Sequence, residues 1–127
     1  MTTHAAVWLD HDEARIYALE PGKIDESSVI APQHLHHRHP KGRGEAKEHP
    51  DDAKHFFHAI ARSLDGVGAV LIVGPSSAKL ELIRYIHKHE HALEPRIVGV
   101  ETSDHPTDGQ LVSHARRYFK LEDRVTR

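Results

Sequence analysis

The chain has 127 residues, a net charge of −2 with histidine neutral, 14 histidines and no cysteine. That length suits one domain with its own core, and the missing cysteines exclude disulfides, thiolate metal sites and cysteine nucleophiles. The slight negative charge argues against nucleic-acid affinity spread over the whole surface. No run approaches the ~18 apolar residues of a membrane span, and the opening MTTHAAVWLDHDEAR lacks a signal peptide's order of basic then apolar residues, so a soluble cytoplasmic protein is expected.

Ala5–Leu9 and Ala14–Leu19 alternate around a short polar turn, His11-Asp12-Glu13, and read as a β-hairpin. Pro21-Gly22 signals a turn, and Ile24–Ala31 forms a third strand carrying Val29 and Ile30. After residues 33–50, Asp51 and Asp52 offer an N-cap. Ala53, Phe56, Phe57, Ile60, Ala61 and Leu64 then recur as one apolar helical face, closed by Asp65-Gly66. Ala69–Val73 (AVLIV) is a continuous apolar run, the mark of a central strand buried on both faces. Gly74-Pro75-Ser76-Ser77 turns into a helix over Ala78–His91, with Leu82 and Ile86 on its apolar face and Leu80 and Ile83 beside it; Glu94-Pro95 closes it. Arg96–Val100 is the last strand. His105-Pro106-Thr107-Asp108 leads into a final helix with Leu111, Val112, Ala115, Tyr118 and Phe119 as apolar positions, and the charged tail from Leu121 is expected to fray.

Three strands followed by alternating helix and strand predict an α/β fold. The expected architecture is a mixed five-stranded sheet with helices on both faces, in the order βββαβαβα. That order is similar to ribonuclease H-like domains. One domain over residues 1–127 is expected, with a mobile, basic, histidine-rich loop at 33–50.

That loop, QHLHHRHPKGRGEAKEHP, holds five of the histidines and almost nothing to bury. Arg38, Lys41, Arg43 and Lys47 against Glu45 and Glu48 give it a local charge of +2 and leave −4 for the rest. Histidine titrates near pH ~6.5, so mild acid makes the loop more positive. Long polar loops inside compact domains are functional or disordered. This one reads either as a solvated linker or as a segment gripping RNA backbone by charge.

Other constellations have competing readings. A two-metal nuclease needs carboxylates at set strand positions; Asp10 stands near one, but AVLIV has none, and Asp10, Asp12 and Glu13 read as a solvated turn. Gly74, Ser76, Ser77 and Lys79 sit where a strand meets a helix, which suits anion binding, yet Ser76 or Ser77 as a helix cap explains them equally simply. His34, His36, His37 and His39 lie close in sequence, and His87 and His91 stand four apart on one predicted helix. Such sets can ligate zinc or nickel, and His87, His89 and His91 also suit a helix C-terminus. No Ser-His-Asp set emerges from spacing.

Two stretches carry a family resemblance. LIVGPSSAK, within Val70–Lys79, resembles the strand-turn-helix of the middle domain of archaeo-eukaryotic class I release factors and of Pelota, their ribosome-rescue relative. VGVETSDHPTDG, Val98–Gly109, resembles the later strand and glycine-containing turn of that ribonuclease H-like domain. The whole chain is similar to small bacterial single-domain relatives described as translational machinery proteins. In those factors a basic loop follows the third strand, where HPKGRGEAKEHPDDAKHFFHAIA stands here. The release-factor loop carries a Gly-Gly-Gln tripeptide that positions water for ester hydrolysis. Here the nearest match is Gly42-Arg43-Gly44-Glu45, and an anionic glutamate lacks the amide donors of glutamine. Pelota also lacks the tripeptide and acts without hydrolysis.

The resemblance therefore implies a ribosome- or RNA-associated translation accessory domain without peptide-release chemistry. Arg38, Lys41, Gly42, Arg43, Gly44 and Lys47 would form its RNA-binding segment, with ribosomal RNA as partner and no cofactor. Two other readings remain: a hydrolase of peptidyl- or aminoacyl-tRNA using Glu45 or a loop histidine as base, and a histidine-rich metal-binding module. Ile24–Ala31, at a sheet edge, is where a homodimer would pair.

Overall fold

The computed structural model of the chain describes residues 3–31 and 50–121. Residues 32–49 and the tail 122–127 lie outside the described residues. Nine elements follow in order: β1 His4–Leu9, β2 Glu13–Glu20, β3 Lys23–Ile30, α1 Pro50–Ser63, β4 Ala69–Gly74, α2 Ala78–His89, a 3-10 turn Glu94–Arg96, β5 Ile97–Thr102 and α3 Asp108–Tyr118. The strands form one mixed sheet in the order β3-β2-β1-β4-β5. β1 runs antiparallel to β2 and parallel to β4, β4 parallel to β5, and β2 antiparallel to β3. This is a ribonuclease H-like α/β sheet.

The central strands explain the layering. β1 and β4 are apolar on both faces because each face has a helix layer to meet. Val7, Leu9, Val70 and Ile72 point toward α1 and α2, where Phe56, Ile60, Leu64, Leu82 and Ile86 complete one core. Ala6, Trp8, Leu71 and Val73 point the other way, joined by Tyr17, Leu19 and by Leu111 and Ala115 of α3. β2 alternates, as a strand facing two unlike layers must: Ala14 and Ile16 enter the first core, Tyr17 and Leu19 the second. Each large side chain fully buried here stabilises by about 1.5–3 kcal/mol.

Several boundaries differ from the sequence expectation. α1 already includes Pro50, so Asp51 and Asp52 lie in its first turn rather than before it; proline suits that first position because its missing N–H has no intrahelical partner to lose. α2 stops at His89, two residues early. Glu90 leaves the helical region (φ −133°, ψ 64°), and the chain turns so that Leu93 is buried and Pro95 falls in a separate 3-10 turn. Arg96 belongs to that turn rather than to β5, and its Nη1 donates to the Val67 carbonyl at 2.9 Å. Leu80 flanks the apolar face but is 49% exposed. Gly66 ends the first helical stretch with a left-handed φ of 84°.

Candidate functional site

Because β1, β3, β4 and β5 all point one way, their carboxyl ends gather at one end of the sheet. The helices return in the opposite sense, so α1, α2 and α3 all begin there. Ala31 and Pro50, the described residues flanking segment 32–49, are both at this end; Ala31 N–H donates to the Asp12 carbonyl in the β1–β2 turn at 2.9 Å. In open α/β sheets ligands bind outside the strand carboxyl ends, at the crevice where connections diverge. Here that crevice lies between β1 and β4. Gly74 closes it, since a Cβ there would stand 2.3 Å from the Leu9 carbonyl oxygen.

Asp10 organises the β1–β2 turn. Its Oδ1 accepts from the backbone N–H of Asp12 at 2.8 Å and of Glu13 at 3.0 Å, the local structure expected of an aspartate in a tight turn. Its Oδ2 lies 3.5 Å from His105 Nε2, and His105 Nδ1 lies 3.2 Å from Asp104 Oδ1. The His105 ring rests on Trp8, centroids 4.9 Å apart. Trp8 Nε1 donates to the Asp104 carbonyl at 2.8 Å, so a buried strand residue pins the β5–α3 loop.

Arg15 lies over the Trp8 ring, 4.6 Å from its centroid, and its Nη1 donates to Asp108 Oδ1 at 2.8 Å. The Tyr17 hydroxyl donates to the same oxygen. Burial and then the Asp108 carboxylate push the Tyr17 hydroxyl well above the usual tyrosine range. The Tyr17 and Arg15 hydrogen bonds hold the Asp108 carboxyl below the usual carboxylate range. A shallow groove of about 330 Å³ runs past this cluster, lined among others by Arg15, Tyr17, Glu26, Ser28 and Asp108.

The strand-to-helix turn after β4 is occupied by contacts within the chain. Ser77 has a helical backbone (φ −75°, ψ −11°) and makes no side-chain cap, which corrects its expected capping role: a cap residue needs an extended backbone to aim its oxygen at the third N–H. Its hydroxyl donates instead to Glu81 Oε2 at 3.4 Å, which also lies 3.4 Å from His11 Nε2. Lys79 is buried and its Nζ donates to the Ser76 carbonyl at 2.9 Å. The cap that does form is Thr107. Its hydroxyl accepts from Gln110 N–H at 3.1 Å while Gln110 Oε1 accepts from Thr107 N–H at 2.9 Å. The sequence Thr-Asp-Gly-Gln already carries that capping box.

The other expected site residues divide. Arg38, Lys41, Gly42, Arg43, Gly44, Glu45 and Lys47, and the histidines His34, His36, His37 and His39, lie outside the described residues. His87 and His91 do not share a helix face, because α2 ends between them; His87 Nδ1 is 2.8 Å from Glu94 Oε2 instead. Among the described residues no group of three or more histidine or acidic side chains is placed to hold a metal ion, and no helix is long and apolar enough to cross a membrane. The Trp8–Arg15–Asp108–Tyr17 cluster joins positions more than ninety apart in sequence, so spacing gave no sign of it.

No protein-family model matches the sequence, and no curated protein matches it. Solved structures do match. Pelota of Thermoplasma acidophilum superimposes with a TM-score of 0.63 at 21% identity, over 91% of this chain and 32% of that one. The archaeal translation termination factor aRF1 gives 0.58 at 16% identity, over 97% and 35%. The chain has the Pelota and release-factor domain fold. Dom34 of S. cerevisiae, a translation termination-like factor involved in RNA quality control pathways and interacting with Hbs1, gives 0.56 at 14% identity, over 94% and 34%. The chain thus spans about a third of the length of these proteins. On this Pelota-like fold the carboxyl end is acidic, with Asp10, Asp12, Glu13, Glu81, Asp104 and Asp108 around the crevice.

Proposed function

We propose that this chain is a ribosome- or RNA-associated translation accessory domain without peptide-release chemistry, acting in the cytoplasm. The observation that carries the reading is the Pelota and release-factor fold over more than nine-tenths of the chain. Fold alone does not fix function, and charge supplies the second support. The acidic carboxyl end repels phosphate, so affinity for ribosomal RNA falls to the segment 32–49, which joins Ala31 to Pro50 at that same end. Arg38, Lys41, Arg43 and Lys47 contact phosphates, and Gly42 and Gly44 let the backbone approach closely. We assign the Gly74–Lys79 turn a structural role, since Lys79 and Ser77 are engaged by Ser76 and Glu81.

Co-sedimentation with ribosomes tests this. Four phosphate contacts predict a log-log salt slope of about −3, or roughly 50-fold weaker binding on raising salt about fourfold. Replacing all four cations by glutamate abolishes binding. Absence of binding at low salt, or binding indifferent to the replacement, rules the proposal out. Glutamate at position 45 predicts no release from peptidyl-tRNA; hydrolysis that Glu45→Ala removes would instead establish the hydrolase reading.

A further inference from the structure

β3 is covered on one face and open on the other. α1 packs over β3 and β2, and Val29 of β3 meets the core on that side. On the opposite face Leu111 and Ala115 of α3 share a core with Tyr17 and Leu19 of β2. The β3 residues of that face are aligned with β2: Ile24 with Leu19, Glu26 with Tyr17, Ser28 with Arg15 and Ile30 with Glu13. Partners directly opposite in an antiparallel pair share a face, so all four belong to the α3 side. α3 leaves them uncovered. Ile24 is 39% and Ile30 61% exposed, with Glu26 and Ser28 exposed between them.

The shallow groove past the Arg15–Asp108 cluster runs along this face, lined by Glu13, Arg15 and Tyr17 of β2, Glu26 and Ser28 of β3, and Asp108 of α3. Its charges do not balance. Asp108 is answered by Arg15 at 2.8 Å. The side chains of Glu13 and Glu26 have no partner among the described residues, which leaves two negative charges uncompensated. At the other end of the face Arg116 of α3 is engaged by the Glu20 and Lys23 carbonyls, both at 3.2 Å.

We infer that this open face of β3 docks an extended basic segment of a partner protein, with arginine or lysine on Glu13 and Glu26 and apolar side chains on Ile24 and Ile30. Charge complementarity selects the occupant: two free carboxylates attract a cation and repel the phosphates of RNA. The two isoleucines call for apolar side chains flanking the cations, which a metal ion or a simple polyamine does not carry. The spacing suits an extended chain. Ile24 and Ile30 are six residues apart, about 20 Å along a strand. A peptide laid along β3 has the same repeat, so leucines at its first and seventh positions reach the isoleucines while arginines at its third and fifth face the groove. The contact is made by side chains of the face and is distinct from the RNA contact assigned to segment 32–49.

The experiment is fluorescence anisotropy of a labelled heptapeptide, Leu-Gly-Arg-Ser-Arg-Gly-Leu, titrated with the full chain. Wild type binds it at low salt, and the affinity falls as salt rises. Glu13→Gln combined with Glu26→Gln removes both ion pairs and weakens binding about fivefold or more. Ser28→Arg, which sets a cation in the groove, has the same effect and carries the expectation alone if the double variant loses its native circular dichroism. Asp65→Asn, an exposed carboxylate just past α1, leaves binding unchanged. The inference is overturned by no binding at low salt, by wild-type affinity in the groove variants, or by equally tight binding of the peptide with glutamate in place of arginine. It is also overturned if the peptide binds only after Arg38, Lys41, Arg43 and Lys47 are replaced, a result that would make the chain's own segment the occupant.

Discussion

Asp108 Oδ1 receives the Tyr17 hydroxyl and the Arg15 guanidinium together, and Arg15 in turn lies over Trp8. These contacts fasten the start of α3 to β2. Because the Asp108 carboxyl is held below its usual range, its contribution to stability is complete above the unfolded carboxylate range and is lost as pH falls through the lowered folded value. Asp108→Asn is therefore expected to lower the urea midpoint at about pH 7, and the gap from wild type to close in strong acid. A gap that stays constant across that range would show that the charge is not what matters. Gly74 makes a steric argument instead. A methyl group there meets the Leu9 carbonyl, and this is backbone that can yield only by moving β1 from β4. Gly74→Ala is expected to cost about 1–3 kcal/mol, the usual range for overpacking, as read by urea denaturation; a loss near zero would mean the two strands can part there freely.

The helix starts show how far local patterns reach. Thr107 has an extended backbone (φ −70°, ψ 165°) and closes a full capping box with Gln110; Ser77 has a helical backbone and caps nothing. Thr107→Ala is expected to cost about 1 kcal/mol, and Ser77→Ala to fall within about 0.5 kcal/mol of wild type. Urea titrations of the two variants check the pair, and equal losses would contradict the assignment. Both residue types suit a cap, and composition does not separate them. What separates them is the route of the chain: after β4 only Pro75, Ser76 and Ser77 precede α2, while after β5 the chain crosses a longer loop, 103–107, pinned by Trp8. The same reasoning explains α2. Its apolar period runs on toward His91, but burying Leu93 bends the chain after His89, and the i, i+4 histidine pair disappears.

At the level of the molecule, the carboxyl end of the sheet carries the anchors of the basic segment, and both sheet edges mix apolar and polar exposed side chains: Ile24, Asp25, Glu26 and Ile30 on β3, Val98, Val100 and Thr102 on β5. The proposed ribosome contact rests on segment 32–49 and not on the sheet, so replacing its four cations is expected to leave the urea midpoint of the fold near that of wild type. A lowered midpoint would show that the segment also supports the fold.

The strand and helix inventory, the doubly buried β4 and the amphipathic face of α1 were legible in the chain because hydrophobic period is a local property, written within ten or fifteen residues. The charge of segment 33–50 was legible because it is a matter of composition. Sequence alone did not yield the strand order that gathers four carboxyl ends and three helix starts at one end. Nor did it yield the Trp8–Arg15–Asp108–Tyr17 cluster. Those depend on which residues far apart in sequence come to share a surface, and that is decided when the two helix layers close over the sheet.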